Sequence, residues 1–455
     1  MKTQLAVKEM ETAVSGYWSG VLLSSALDGV YTDSRADGHG KLFLALKGER
    51  FDGHDFLENA AQNGAAALCV ASDREEDAKK IALPRLVVPD TLKAYQRLAH
   101  LYRKKFPRLT VAGVTGSVGK TSVKEMLRAI FTAASTPEEV LATEGNTNNQ
   151  IGVPQNLFRL TERHRYAVIE MGTSSPGEIA PLSLTATPDV AVVNSIAPCH
   201  LEKLIDLAGV AREKASIISG LPETGTVVLP ALAPEREVLA AACKDKKIVW
   251  FGNDASCDFY SEYLGGDLTE SRFCLHFPDG GKFEIAWHLG GAHQALNAAA
   301  AAAAAWSCGI DADVIAKALP LTQLPGMRMK RTQLDGITYL NDAYNANPAS
   351  MKATLTQLFQ TRPDEAHLVI VLGGMRELGS VSVDAHRETL ELAKTLFPRA
   401  RIITVGAEFA GSSAPVHFAD SVHFSLKEYL NSGDLVFLKG SRGTALEKLI
   451  PEEAR

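Results

Sequence analysis

With 455 residues the chain is about three times the size of an ordinary domain, so two to four domains are expected. A formal net charge of −6 leaves no basic footprint for nucleic acid, and no apolar run approaches a membrane span, so neither partner enters the expectation. Six cysteines (69, 199, 243, 257, 274 and 308) form no CxxC pair and read as reduced core thiols of a cytosolic protein. Cys199 beside His200 is set aside as a nucleophile, and the first residues lack the order of a signal peptide.

Residues 1–88 read as a small α/β unit. Leu42 to Gly48 and Ala67 to Ser72 are strand-like, with helical spacing over residues 54–65 between them. The charges from Asp73 to Lys80 read as a solvated face. Two polar clusters, Thr32-Asp33-Ser34-Arg35 and the KGERFDGH stretch from Lys47 to His54, sit at strand edges or loops, where ligand groups concentrate. Taken alone, each is an ordinary polar loop.

Pro84 to Asp90 reads as a linker, and Leu92 to Phe106 as an amphipathic helix stopped by Pro107. A second unit follows, organised around Leu109 to Leu127, LTVAGVTGSVGKTSVKEML. A buried β-branched strand runs into a Gly-rich turn and a helix opening at Lys120-Thr121-Ser122. Such a turn aims backbone N–H groups and a helix N-terminus at one point, which favours a phosphate. The residues concerned are Thr115, Gly116, Ser117, Val118, Gly119, Lys120, Thr121 and Ser122. Lys120 adds a point charge and the Thr121 hydroxyl an Mg²⁺ ligand. The usual spacing asks for glycine at position 114, where this chain has Val114, so a tight strand-to-helix connection stands as the plain alternative.

The loop Thr143 to Pro154, TEGNTNNQIGVP, is dense in amides and glycines and reads either as a ligand-facing loop or as turn chemistry, with Pro154 opening the next helix. Tyr166 to Met171 is an apolar strand ending in Glu170, well placed to bind Mg²⁺. The strand Val190 to Asn194 brings His200 to the same sheet edge, where a structural and a site role are both open. Leu207 to Leu221 reads as a helix, and by pattern alone Lys214 at its middle is a solvated lysine. Thr226 to Leu229 and Lys247 to Phe251 extend the sheet, and Phe259 to Trp287 alternates as antiparallel hairpins. His293-Gln294-Ala295-Leu296-Asn297 and the eight alanines to Ala305 read as a buried helix. Beyond Leu324-Pro325-Gly326 a third unit alternates strands (337–340, 366–372, 401–405, 435–438) with helices (351–360, 383–396), implying a second, smaller parallel sheet. Its polar loops, residues 341–348, 373–379 and 439–443, follow strands, where open α/β sheets bind ligands.

Together these motifs resemble the Mur ligase family, over essentially the whole chain and in the same order. They are DSR, ALKGERFDGHDF, TGSVGKTSVKEM, TEGNTNNQIGVP, VIEMG, SIAPCHLE, HQALNAAAA, PGMRM, DAYNANPASM, GGMRELG and FLKGSRG. The resemblance implies three α/β domains: 1–88 binding a UDP-sugar, a central P-loop domain 89–324 with a parallel or mixed sheet, and a Rossmann-like domain 325–455. It implies a monomeric ligase of the bacterial cytoplasm, using ATP and Mg²⁺ to join D-Ala-D-Ala to UDP-N-acetylmuramoyl-tripeptide through an acyl phosphate. TEGNTNNQIGVP and NANPASM distinguish this branch from sister ligases.

Carried over by position, Lys120 and Thr121 hold the ATP phosphates and Mg²⁺, with Glu170 and His200 near the metal. Lys214 becomes the family lysine that is carbamylated and ligates Mg²⁺, which reverses its pattern reading. Asn297 with Tyr344, Asn345 and Asn347 borders adenine and ribose, while Arg328 and Asp342 approach the nucleotide across the domain junction. Ser34, Arg35, Lys47, Asp52, Gly53 and His54 hold the UDP-sugar. Asn148 and Asn149 face the muramyl peptide, and Lys439 and Arg442 receive the dipeptide carboxylate.

Three positions depart from the pattern: Gly374 where Asp is common, Arg376 where Leu is frequent, and Gln294 for Asn after His293. They put in doubt contacts of the third-domain loop and one adenine-side hydrogen bond. A sister Mur ligase, a folylpolyglutamate-type ligase, a non-catalytic nucleotide-binding module and a degenerate pseudoenzyme are the competing readings. A GTPase switch lacks its NKxD motif. The third residue of the tripeptide, lysine or diaminopimelate, is left open.

Overall fold

The computed structural model describes residues 3–454 apart from 22, 24, 49, 50, 268, 269 and 362. Glu49 and Arg50 of the first-domain loop therefore lie outside the described residues.

Three α/β sheets follow one another along the chain. The first runs Tyr17–Ser19, Arg85–Val88, Ala67–Ala71, Leu42–Leu44, Val30–Tyr31 in spatial order, parallel except for the first pair. Arg85–Val88 is a fully buried strand inside this sheet, so Pro84 to Asp90 is not a linker. Proline and polar residues flank four buried residues, and flank composition misled where the apolar run was the better guide. Helix Thr91–Arg103 follows, capped by Asp90, whose carboxylate accepts from Lys93 N at 3.0 Å. Its Tyr95, Leu98 and Ala99 share one core with Leu42 and Leu86 of the first sheet and Val111 and Ile169 of the second.

The second sheet has nine strands. Val140–Ala142, Tyr166–Glu170, Thr110–Thr115, Val190–Val193, Thr226–Pro230 and Lys247–Gly252 lie side by side and parallel, and Phe259–Gly266 continues them into an antiparallel meander with Ser271–His276 and Lys282–Trp287. Thr110–Thr115 is flanked on one side by the strand ending in Glu170 and on the other by the strand leading to Asn194. The chain thus leaves its central strand in both directions, the switch point at whose carboxyl edge open sheets bind ligands. Helix Ala292–Ser307 covers one face, and Ala298 through Ala305 are all fully buried. With only methyl groups between them, helix and sheet approach closely.

Residues 322–329 carry no helix or strand. The third sheet runs Lys330–Leu334, Ile337–Asp342, Leu435–Lys439, Leu368–Gly373, Arg401–Val405, Val416–Phe418. Its first pair is antiparallel and the rest parallel, so the sheet is mixed rather than wholly parallel. The strand Lys330–Leu334 is polar and mostly exposed, and no apolar alternation marked it.

Candidate active site

The phosphate loop closes the carboxyl edge of the central strand. Gly116 (φ +151°) and Gly119 (φ +80°) take backbone conformations that a side chain disfavours. A Cβ on Gly119 would lie 2.3 Å from Asn194 Nδ2 and 2.6 Å from Asn297 Oδ1. These amides buttress the loop: Asn194 Nδ2 donates to Val118 O (2.9 Å) and Asn297 Oδ1 (2.8 Å), and Asn297 Nδ2 donates to Gln294 Oε1 (3.0 Å). Gln294, one of the departures, therefore still supports Asn297. Ser117 and Val118 are pinned to the 195–197 segment through Ser117 N to Ser195 O, Ser117 Oγ to Ala197 O and Val118 N to Ser195 Oγ. Lys120 Nζ donates to Gly116 O at 2.7 Å, folded over its own loop. Gly119→Ala is expected to abolish ATP-analogue binding in calorimetry and to destabilise the fold by about 1–3 kcal/mol in denaturant titration.

Beneath the loop, three neighbouring parallel strands end in buried oxygens without hydrogen-bond partners: Thr115 Oγ1, Glu170 Oε2 and Asn194 Oδ1. Buried acceptors without donors are costly, and their clustering at one sheet edge fits a cation. The other Glu170 oxygen accepts from Asn148 Nδ2 at 2.9 Å, so the amide-rich loop orients this carboxylate. Asn149, by contrast, is exposed and caps the short helix Gly152–Leu157 through Ile151 N and Gly152 N. That helix opens at Gly152 rather than at Pro154.

Lys214 is buried at 1% exposure, which corrects the solvated-lysine reading. Burial, with the Lys120 charge second, lowers its pKa to about 8, giving a neutral amine fraction able to add CO₂. His200, in left-handed backbone conformation, reaches across to Glu377 of the third domain. Its pKa is lowered chiefly by burial and further by Lys214 and Lys120, against the pull of Glu377. Among the described residues no group of three or more His, Cys, Asp and Glu side chains could hold a metal. The residues the sequence offers for Mg²⁺, the Thr121 hydroxyl, Glu170, His200 and Lys214, would suit the ion only if Lys214 carried a carbamate, because an ammonium repels a cation.

Glu213 escaped notice in the sequence. Its buried carboxylate accepts three backbone N–H bonds, from Gly177 (2.6 Å), Glu178 (2.9 Å) and Ile179 (2.8 Å). It clamps the Lys214 helix, Leu207–Ala215, onto the loop that follows Glu170. A glutamate beside a lysine on a helix carries no signal of this, since the partners are backbone groups remote in sequence. Glu213→Ala strands three donors and is expected to cost about 2–4 kcal/mol in equilibrium unfolding.

On the nucleotide side, the Arg328 guanidinium lies 3.8 Å from the centre of the Tyr344 ring and donates to Thr121 Oγ1 at 3.1 Å. It ties residue 328 to the helix that opens behind the phosphate loop. Asn347 is an N-cap: its Oδ1 accepts from Ser350 N at 2.8 Å, with Pro348 opening helix Pro348–Gln360. Asn345 Oδ1 accepts from Ala346 N. Asp342 forms an ion pair with Lys439, which is 3% exposed and not presented to solvent as a carboxylate receiver would be. Both act on His293, whose pKa falls to about 4, mainly through burial. Arg442 is exposed and contacts Glu447 and Met327.

The first-domain residues are braced among themselves. Asp52 binds His54 Nδ1 (2.6 Å), and His54 Nε2 accepts from Ala71 N (3.0 Å). Gly53 packs on Ala45 and Leu46 with no room for a Cβ. Arg74 reaches Asp52 (2.7 Å), Asp55 (3.1 Å) and Asp77 (2.7 Å), so the 73–80 cluster is also a brace for this loop. Ser34 is buried, while exposed Arg35 pairs with Asp33 and holds that carboxyl down at about 2. Lys47 is exposed and bridged through its backbone to Asp52.

The chain and its fold are similar to known proteins. Residues 26–103 match the Mur ligase family catalytic domain, 114–305 the Mur ligase middle domain, and 327–442 the Mur ligase glutamate ligase domain. The chain belongs to the Mur ligase family. It is similar to the UDP-N-acetylmuramoyl-tripeptide–D-alanyl-D-alanine ligase of Escherichia coli (strain K12), with 38% identity over 93% of each chain. A crystal structure of MurF from Acinetobacter baumannii superposes with a TM-score of 0.89 at 30% identity over 98% of both chains. The MurF ligase of Thermotoga maritima in complex with ADP gives a TM-score of 0.77 at 25% identity, covering 92% of this chain and 96% of that one.

Proposed function

We propose that this chain joins D-alanyl-D-alanine to UDP-N-acetylmuramoyl-tripeptide at the expense of ATP. What carries the reading is the unpartnered Glu170 Oε2, at a switch-point edge beneath a phosphate loop, in a chain 38% identical to a ligase of that name. In the first step a tripeptide carboxylate oxygen attacks the γ-phosphorus and ADP leaves, giving an acyl phosphate. The dipeptide amine then attacks the carbonyl carbon, loses its proton, and the tetrahedral intermediate expels phosphate. Lys120 and the loop amides hold and neutralise the phosphates, which is most of what phosphoryl transfer needs from a protein. Mg²⁺, held by Thr121, Glu170, His200 and carbamylated Lys214, would supply further charge neutralisation.

In this reading residues 1–88 hold the UDP-sugar, 89–324 ATP, and 325–455 the dipeptide. Arg328 and the His200–Glu377 pair support closure of the third domain over the acyl phosphate, excluding water. The enzyme works as a monomer in the bacterial cytoplasm on small molecules. No helix among the described residues is long and apolar enough to cross a membrane. The test is ADP release with UDP-muramyl-tripeptide across a panel of acceptors: D-Ala-D-Ala, single amino acids and glutamate. Release that ignores D-Ala-D-Ala, or that prefers glutamate, sinks the reading.

A further inference from the structure

An acceptor dipeptide ends in a carboxylate, which needs a cation at the carboxyl edge of the third sheet. Lys439 is spent on Asp342, and Arg328 on Tyr344 and Thr121. Two arginines flank Gly443 instead. Arg442 precedes it in the chain. Arg376, on the loop after strand Leu368–Gly373, lies against it, and a Cβ on Gly443 would stand 2.7 Å from Arg376 Cζ.

Arg376 is held without being consumed. Its backbone N donates to Ser441 Oγ at 3.2 Å, its Nη2 to Gly443 O at 3.4 Å, and its Nε lies 3.9 Å from Glu408 Oε1, with the side chain 59% exposed. Glu408 occupies the space in front of Gly374, where a Cβ would fall 2.2 Å from its Oε2. Both glycines thus leave bare the positions that the pair fills. Arg442 lies 3.4 Å from Glu447, whereas Arg376 comes only within 3.9 Å of Glu408, so Arg376 is the less engaged of the two guanidinium groups and the one open to a further carboxylate. A planar fork over open backbone also suits bidentate capture of a carboxylate.

We propose that Arg376, steadied by Glu408 and beside Arg442, is the specificity-determining residue that receives the terminal carboxylate of the acceptor. This rests on the ligase reading above, so dipeptide-dependent ADP release is measured first in the unmutated chain; its absence there would sink both. In Arg376→Leu, KM for D-Ala-D-Ala is expected to rise about 10- to 100-fold. KM for ATP and for the UDP-tripeptide should stay within about twofold, since neither contacts this loop on the proposed reading. The preference for D-Ala-D-Ala over its C-terminal amide should collapse in Arg376→Leu and be partly kept in Arg376→Lys. Gly374→Ala, which displaces Glu408, should shift the dipeptide KM in the same direction by less. An unchanged dipeptide KM with the acid-over-amide preference intact in Arg376→Leu would overturn the proposal.

Discussion

Lys120→Ala is expected to lower kcat/KM for ligation by about 10²–10³-fold, with the melting temperature little changed. The phosphate loop is shaped by other groups: Ser195, Ala197, Asn194 and Asn297 pin Ser117 and Val118 through backbone and amide bonds, and none of these passes through the Lys120 side chain. What Nζ contributes is one charge at the end of a flexible stem, donating to Gly116 O. Removing it leaves the amide cradle and so leaves much of the ground-state affinity for ATP. It takes away the charge that follows the γ-phosphoryl group as electron density builds on its oxygens. The loss should therefore appear mainly in kcat, read as ADP release under saturating ATP. An unaltered rate would refute the phosphate site itself.

Lys214→Met should produce the opposite signature, a more stable protein that does not ligate. The ammonium of Lys214 is buried, and its pKa falls from 10.5 to about 8. Between those values the unfolded chain binds the extra proton and the folded chain does not, so stability rises with pH through this window. The penalty is complete below pH 8 and gone above about 10.5, and it amounts to about 3 kcal/mol. Methionine fills similar volume without the charge. In metal-free, CO₂-depleted buffer the variant should melt higher at pH 7, and the gap should close as pH approaches 10.5. Bicarbonate should affect only the unmutated chain, because only it can form the carbamate. A gap that is independent of pH, or a less stable variant, would remove burial of the charge as the cause. Sites that hold a strained or unsolvated group for function commonly give up stability in this way.

The legible parts of the fold were those written in local pattern. The strand before Gly116, the alanine helix, the hairpins from Phe259 to Trp287 and the alternation of the third unit all appear where expected, because apolar period and turn residues act within a few residues of one another. Arg85–Val88 reads as a linker because its flanks resemble one, and Lys330–Leu334 leaves no mark in the sequence because an exposed edge strand needs no apolar face. Of the candidate site residues, Lys120, Thr121, Glu170 and His200 have positions after strands or at a helix start that the sequence pattern already marks. Asn347 and His54 carry the right residue types for a ligand, but Asn347 Oδ1 caps a helix and both His54 ring nitrogens are engaged, by Asp52 and by Ala71 N.

By itself the sequence determined where phosphate can be bound: a buried strand, glycines free to take positive φ, and a helix start place backbone donors at one point whatever surrounds them. It determined family membership as well, through the order of its motifs. Only the tertiary structure decided which groups are spent and which remain open. The burial of Lys214, the clamp of Glu213 on the loop after Glu170, the loss of Lys439 to Asp342 and the meeting of Arg376 with Glu408 join residues far apart in the chain. Charge state and availability depend on desolvation and on neighbours in space, and neither is carried by local pattern.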